Sequence, residues 1–158
     1  MRKKNIDGSL YIGICILFLL VSFILPFYSF EGYQIIKHTT SHLGAQGSPH
    51  AWMMNLVFMG LGLLSLYKVN QTKIIYIQLF GSVFSISLIF TGIFRHAPLM
   101  DLSDVNQLHD TLHSIFATTT GFSFVILLFG YGFMSQHQTR YLAWSLAMIS
   151  TLISYAMF

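Results

Sequence analysis

The chain has 158 residues, of which 54% are hydrophobic, 16% aromatic and only 8% charged, with a mean hydropathy of +0.66. An ordinary soluble domain carries about 25% charged residues, so this composition excludes one and points to a chain dissolved in lipid. The formal charge of +3 sits in short flanks beside apolar runs, with no basic patch elsewhere, which argues against a nucleic-acid partner.

Five apolar runs, about 9–30, 50–67, 73–94, 107–134 and 139–158, approach the roughly 20 residues that a membrane-crossing helix needs. They take up most of the sequence and leave no room for a separate soluble domain, so residues 1–158 read as a single transmembrane domain. Open strands cannot satisfy their backbone in lipid, and the runs are too long and evenly apolar for barrel strands. The expected fold is therefore all-α: a polytopic transmembrane helical bundle with five spans.

The first run follows Arg2, Lys3 and Lys4 and has no small-residue cleavage pattern after it, so it reads as a retained helix rather than a removed signal peptide. Pro26 should kink or end it. Cys15 lies inside this run and, as the chain's one cysteine, forms no internal disulfide. Basic residues near span ends set the orientation. An N-terminus in the cytoplasm puts Arg2, Lys3, Lys4, Lys68, Lys73 and Arg140 inside, against Lys37 and Arg95 outside. The expectation is a cell-membrane protein whose two long loops, 31–49 and 95–106, are extracytoplasmic.

The turns Lys68–Lys73 and Ser135–Arg140 are short, which makes antiparallel neighbours of spans two and three and of spans four and five. Gly60, Gly62, Gly81 and Gly121 are candidate close-packing points between helices. Ser48 before Pro49 reads as the N-cap of span two. Asn55, inside that span, needs a polar partner and is expected to find one between helices.

Function concentrates in the two long loops and the helix starts beside them. Six of the seven histidines lie there: His38, His42 and His50 in one segment, His96, His109 and His113 in the other. Glu31, Asp101, Asp104 and Asp110 lie in or beside the same segments. If the two segments share a membrane face they form one His/Asp-rich site, with His42 and His113 lining one pocket. Asp104 with Gln107 fits a capping box that starts span four near residue 105. On that helix His109, Asp110 and His113 fall within about a 100° arc.

The His-x-x-x-His spacing of His109 and His113 lets two imidazoles converge on one metal ion, and a zinc site adds one or two further ligands. His42, His96, His38 or Asp101 are the candidates. Imidazoles suit zinc, and no thiol is near to favour softer chemistry. The same residues also read as a hydrogen-bonded polar cluster that joins loops to helices. Haem would need two histidines on opposing helices below the surface. Only His113, with His50 at a helix mouth, comes near that pattern.

The stretch from Ser41 to Asn55, with its Ser-His-Leu-Gly loop, Gly47-Ser48-Pro49 and Asn55, resembles the domain of unknown function 998 family of small multi-pass bacterial and archaeal membrane proteins. Gly92-Ile93-Phe94, Asp101 and Leu108-His109-x-x-x-His113 are similar to that family's second signature. Members are commonly longer, with a sixth span, whereas this sequence ends inside or just after its fifth. The order Ser41, His42, Asp101, His109, His113 is more loosely similar to the alkaline ceramidase and adiponectin-receptor superfamily. That resemblance implies zinc held by three histidines near the membrane face, and amide cleavage by a water that the metal activates.

Two classes of function follow. One is a zinc-dependent hydrolase acting on membrane lipid: His109, His113 and His42 or His96 hold the metal, Asp101 or Asp110 acts as base or orients a ligand, and Ser41 binds the substrate carbonyl or phosphate. The other is a non-enzymatic membrane module, a homo-oligomer or a partner of another small membrane protein, that senses pH or metal through its histidines.

Overall fold

The computed structural model describes the backbone of residues 6–99 and 104–157, and the side chains of 8–99 and 104–153. It is all-helical: α1 Ile6–Ile24, α2 Ala51–Val69, α3 Ile75–Ile93, α4 Gln107–Met134 and α5 His137–Met157. Two 3-10 turns join them, Leu25–Tyr28 after α1 and Thr40–Gly44 before α2. Among the described residues, four segments are long and apolar enough to cross a membrane: Gly8–Tyr28, Ala51–Val69, Ile75–Ile93 and Gln107–Met134. The fifth expected span is present as α5, but among the described residues it does not reach that hydropathy. Serines, threonines and the polar start His137-Gln138-Thr139-Arg140 dilute it.

Local chemistry explains the boundaries. α1 stops at Ile24 because Pro26 has no N–H to continue the ladder, and the chain tightens into a 3-10 turn that contains the proline. The residue before α2 is His50, in the left-handed region at φ 56°, with no side-chain cap. The expected Ser48 cap does not form, because the Ser48 hydroxyl instead meets Ser29 at 3.0 Å. α4 starts at Gln107 rather than near 105. Its cap is Asn106, whose Oδ1 accepts the His109 N–H at 3.1 Å, in place of the expected Asp104. Asn at the N-cap satisfies an orphan donor as well as Asp does.

The helices pack chiefly in chain order, α1 on α2, α2 on α3, α3 on α4 and α4 on α5. α2 and α3 approach closely at small residues. A Cβ on Gly62 would come within 2.7 Å of the Ser85 carbonyl, and one on Gly92 within 2.6 Å of the Asn55 carbonyl. The hydroxyls of Ser85 and Thr91 donate back to the Gly81 and Ser87 carbonyls, so α3 carries polar side chains in its buried face at little cost. Phe90, Phe94 and Phe116 stack between α3 and α4. Trp144 of α5 donates to the Phe129 carbonyl of α4 at 3.3 Å. Gly121 differs from expectation: a Cβ there would meet nothing within 4 Å. It borders open space instead of a neighbouring helix. The core lies where α1, α2, α3 and the second 3-10 turn meet, around Val21, Leu25, Leu43, Met54, Val57, Phe58 and Leu88. The site stands directly over it.

Candidate functional site

The first polar loop is anchored as a plug. Leu43 and Ala45 are fully buried, so apolar burial seats the Thr40–Gly44 turn on the helix ends. Asn55 of α2 then donates from Nδ2 to the Gly44 carbonyl at 3.1 Å. Its partner is thus this loop rather than another helix. A Cβ on Gly44 would run into the Asn55 amide, so the close approach requires glycine there. Seated this way, the turn presents His42.

Gln46 ties the first loop to the second. Its N–H donates to the His96 carbonyl at 2.9 Å. Its Nε2 donates to the Arg95 and Asn106 carbonyls at 3.1 and 3.2 Å, and its Oε1 accepts the Asn106 N–H at 2.9 Å. One glutamine therefore fixes loop one against the end of α3 and the cap of α4. The two histidine segments meet, as the sequence led us to expect.

Where they meet, three imidazoles form a column. His42 stacks on His96 with ring centroids 4.7 Å apart, and His96 stacks on His113 at 5.1 Å. Each ring is held by its Nδ1. His96 donates to Asp110 Oδ1 at 2.7 Å, and the Ala97 N–H donates to the same oxygen at 2.7 Å. His113 Nδ1 lies 2.8 Å from the Phe94 carbonyl and 3.1 Å from that of Thr91. Carbonyls only accept, so this nitrogen carries the proton and the lone pair of neutral His113 is on Nε2. That Nε2 is buried and has no hydrogen-bond partner. His42 Nδ1 pairs with the Thr39 hydroxyl at 2.9 Å. Burial first, and then the neighbouring His96 and His38, hold the His42 imidazole down to about 4, with hydrogen bonding to Thr39 opposing them in part. His42 is therefore neutral at physiological pH.

Below the column a cavity of about 540 Å³ runs along α4 and is closed on one side by α5. Ser41, His42, His96 and His113 line its polar end, and Ala117, Gly121, Val125 and Ile153 its apolar length. Of the residues singled out from the sequence, Ser41, His42, His96 and His113 share this cavity, and Asp110 supports it through His96. His109 does not line it, and packs edge-on against the Phe94 ring at 5.5 Å. Asp101 lies outside the described residues. Among the described residues, no three His, Cys, Asp or Glu side chains are grouped as a metal ion would need. His38 accepts the Gln34 N–H at the outer edge of the first loop.

The helix spacing pointed to His109 with His113, but the structure pairs His113 with the His96–Asp110 unit. Gln46, Thr39 and the carbonyls of Thr91 and Phe94 were not singled out from the sequence. Only Gln46 left a trace there, as a polar residue between the turn glycines Gly44 and Gly47.

A family model described as protein of unknown function (DUF998) matches residues 13–158. The chain belongs to this family. The match takes in both histidine segments and all of α2 to α5, so the histidine column and cavity lie within the DUF998 region. No curated protein and no solved structure matches the chain. The similarity to the alkaline ceramidase superfamily rests on residue order and type alone.

Proposed function

We propose that this DUF998 protein is a membrane-embedded hydrolase acting on lipid, with His96 and Asp110 as its acid–base pair. The observation that carries the reading is the 2.7 Å contact from His96 to a carboxylate that a backbone N–H also holds, at the mouth of a cavity of lipid size. Asp110 fixes the His96 tautomer with the proton on Nδ1, which leaves Nε2 basic and free to act. His96 takes a proton from a water attacking an acyl carbonyl. A C–O bond forms, the ester or amide bond breaks, and the proton passes to the leaving group. Ser41, in the same cavity, donates its hydroxyl to the carbonyl oxygen. His42, neutral and stacked on His96, keeps the column free of competing charge. The six-to-two distribution of basic residues supports a site on the outer face of the cell membrane.

A second reading is favoured by one specific observation, the buried and unpartnered Nε2 of His113. Metal-ligating imidazoles are usually held through one ring nitrogen so that the other can coordinate, and His42, His96 and His113 are all held through Nδ1. The stacked rings of His42 and His96 would have to turn for their Nε2 atoms to converge. Zinc, when bound, would supply a Lewis acid that lets water ionise near neutral pH.

The test uses full-length protein purified without a histidine tag, assayed on fluorogenic acyl ester and amide lipids, with elemental analysis alongside. Activity that survives chelators and is lost in Asp110→Asn supports the acid–base pair. Stoichiometric metal with chelator-sensitive activity establishes the zinc reading instead. No turnover of any acyl lipid overturns both and leaves a non-enzymatic lipid or partner-binding module.

A further inference from the structure

We infer that the occupant of the α4–α5 groove is a lipid with a single acyl chain, its carbonyl at the histidine column and its chain lying along α4. This rests on the hydrolase reading of the same site and adds the class of its substrate.

Three observations carry it. The groove is one helix face deep: from His113 to Val125 it follows α4 for twelve residues, about 18 Å at the rise of an α-helix. That depth is close to one leaflet of a bilayer whose hydrocarbon core is roughly 30 Å thick. A chain lying there keeps the depth and direction it has in the surrounding membrane. The volume, about 540 Å³, lies within the range of roughly 300–1,000 Å³ usual for small-molecule pockets. A volume of about 540 Å³ spread along about 18 Å is a mean cross-section of about 30 Å², between α4 on one side and Thr151 and Ile153 of α5 on the other, which fits one extended chain and not two side by side.

The groove is also built to stay open. Ala117 and Gly121 put the smallest side chains midway along it, and the space over Gly121 is empty to 4 Å. Phe122, 68% exposed at its lip, leaves that side facing the membrane, so a lipid can enter laterally without leaving the bilayer.

The polar end differs in kind from the rest. His113 is 2% exposed, with a buried Nε2 that lacks a partner and belongs to a ring lining the cavity. A buried acceptor without a donor is costly, and a hydroxyl or amide N–H beside the acyl carbonyl would satisfy it. A plain hydrocarbon would not. The chemistry therefore favours an acyl lipid that retains a hydroxyl or N–H next to its carbonyl group, such as a monoacylglycerol, a lysophospholipid or an N-acyl amine.

The experiment is photo-crosslinking of the full-length protein in bilayer nanodiscs. One probe is a lysophosphatidylcholine with a diazirine near the end of its single chain, and the other a phosphatidylcholine with the same diazirine and a second chain. The expected result is that the single-chain probe labels peptides around Val125 and Ile153, at least tenfold over the two-chain probe. Gly121→Phe, which fills the empty space, should cut that labelling at least tenfold. Val125→Trp blocks the same groove from a second position should Gly121→Phe not express. Asp110→Asn should label like the wild type while losing hydrolysis, which separates failure of the chemistry from failure of the substrate class. Equal labelling by the two probes, or labelling unchanged in the blocked variants, would overturn the inference.

Discussion

The His96 imidazole and the Asp110 carboxylate stand 2.7 Å apart across the junction of the second loop and α4, and Asp110 is held in place by the Ala97 N–H. The loop that carries His96 therefore also supplies the donor that fixes the partner of His96. Asp110 is three residues from His113 on the same helix face, so one turn of α4 sets both the orienting carboxylate and the buried end of the imidazole column.

We predict that Asp110→Asn preserves the fold and removes the chemistry. The asparagine Oδ1 still accepts from Ala97, so the loop stays in place. The same oxygen still accepts from His96 Nδ1, but the neutral amide lacks the negative charge that stabilises the imidazolium formed when His96 takes a proton. Turnover of the acyl lipid should fall by about 10²–10⁴, the usual contribution of a positioned general base, with an unchanged helical circular-dichroism spectrum. A variant within threefold of wild type would remove His96 from the mechanism.

Gln46 should matter more than an exposed glutamine usually does. It makes three side-chain hydrogen bonds to backbone groups of Arg95 and Asn106. Each is worth about 0.5–1.5 kcal/mol net, less where water competes, so Gln46→Ala should destabilise the folded protein by about 1–3 kcal/mol. The thermal midpoint in detergent measures it. Histidine resonances that keep their native dispersion in this variant would show that the loops stay joined without Gln46.

Much of the fold was legible because the apolar runs and their punctuation are physical signals in one dimension. Pro26 marks the end of α1, and the loop-bounded runs mark five helices. The caps were less legible. Ser48 and Asp104 are good caps by type, but Ser48 is drawn to Ser29 and Asn106 stands nearer the start of α4. Gly121 could not be told from Gly62 by sequence, since both are small residues in an apolar helix and only the neighbour differs. The cluster of histidines was readable as a cluster. Which imidazoles face one another was not, because that depends on a ring seated by Leu43 burial and Gln46 bonding far along the chain.

Gly44 is the position where an added methyl group should do most harm. Its carbonyl takes the Asn55 amide, and a Cβ would occupy the space of that amide. We predict that Gly44→Ala costs about 1–3 kcal/mol as an overpacked site and pushes the Thr40–Gly44 turn away from α2. Pairing it with Asn55→Ala should recover part of the loss by making room. Additive losses in the double variant would show that the two residues do not share a contact.

The titration of His42 gives the loop a pH dependence of defined sign. Its folded value is about 4 against an ordinary 6.5, because burial and the facing His96, His38 and His113 disfavour the charged form. The unfolded loop binds its proton first as pH falls, so stability is full above about 6.5 and is lost progressively toward about 4. Asp110 also faces the column, through His96, and remains in both proteins when wild type is compared with His42→Gln. The wild-type midpoint should drop more steeply between pH 6.5 and 4.5 than that of the variant. Parallel pH profiles would show that His42 is not held neutral by its surroundings.

The last prediction concerns which face of the membrane carries the site. The contacts of His42, His96 and His113 bring the start of α2, the end of α3 and the start of α4 to one end of the bundle. The short turns after α2 and α4, with Lys68, Lys73 and Arg140 beside them, belong to the opposite end. With the cationic end in the cytoplasm, the histidine column faces outward. Ile36 is 90% exposed in the first loop, so Ile36→Cys in a Cys15→Ala background offers a thiol there without disturbing the site. It should react with a membrane-impermeant maleimide in intact cells, whereas a cysteine at Gln71, in the turn after α2, should react only once the membrane is opened. The reverse pattern would turn the site to the cytoplasm and replace outer-leaflet lipid by inner-leaflet lipid as its substrate pool, while leaving the His96–Asp110 geometry as it stands.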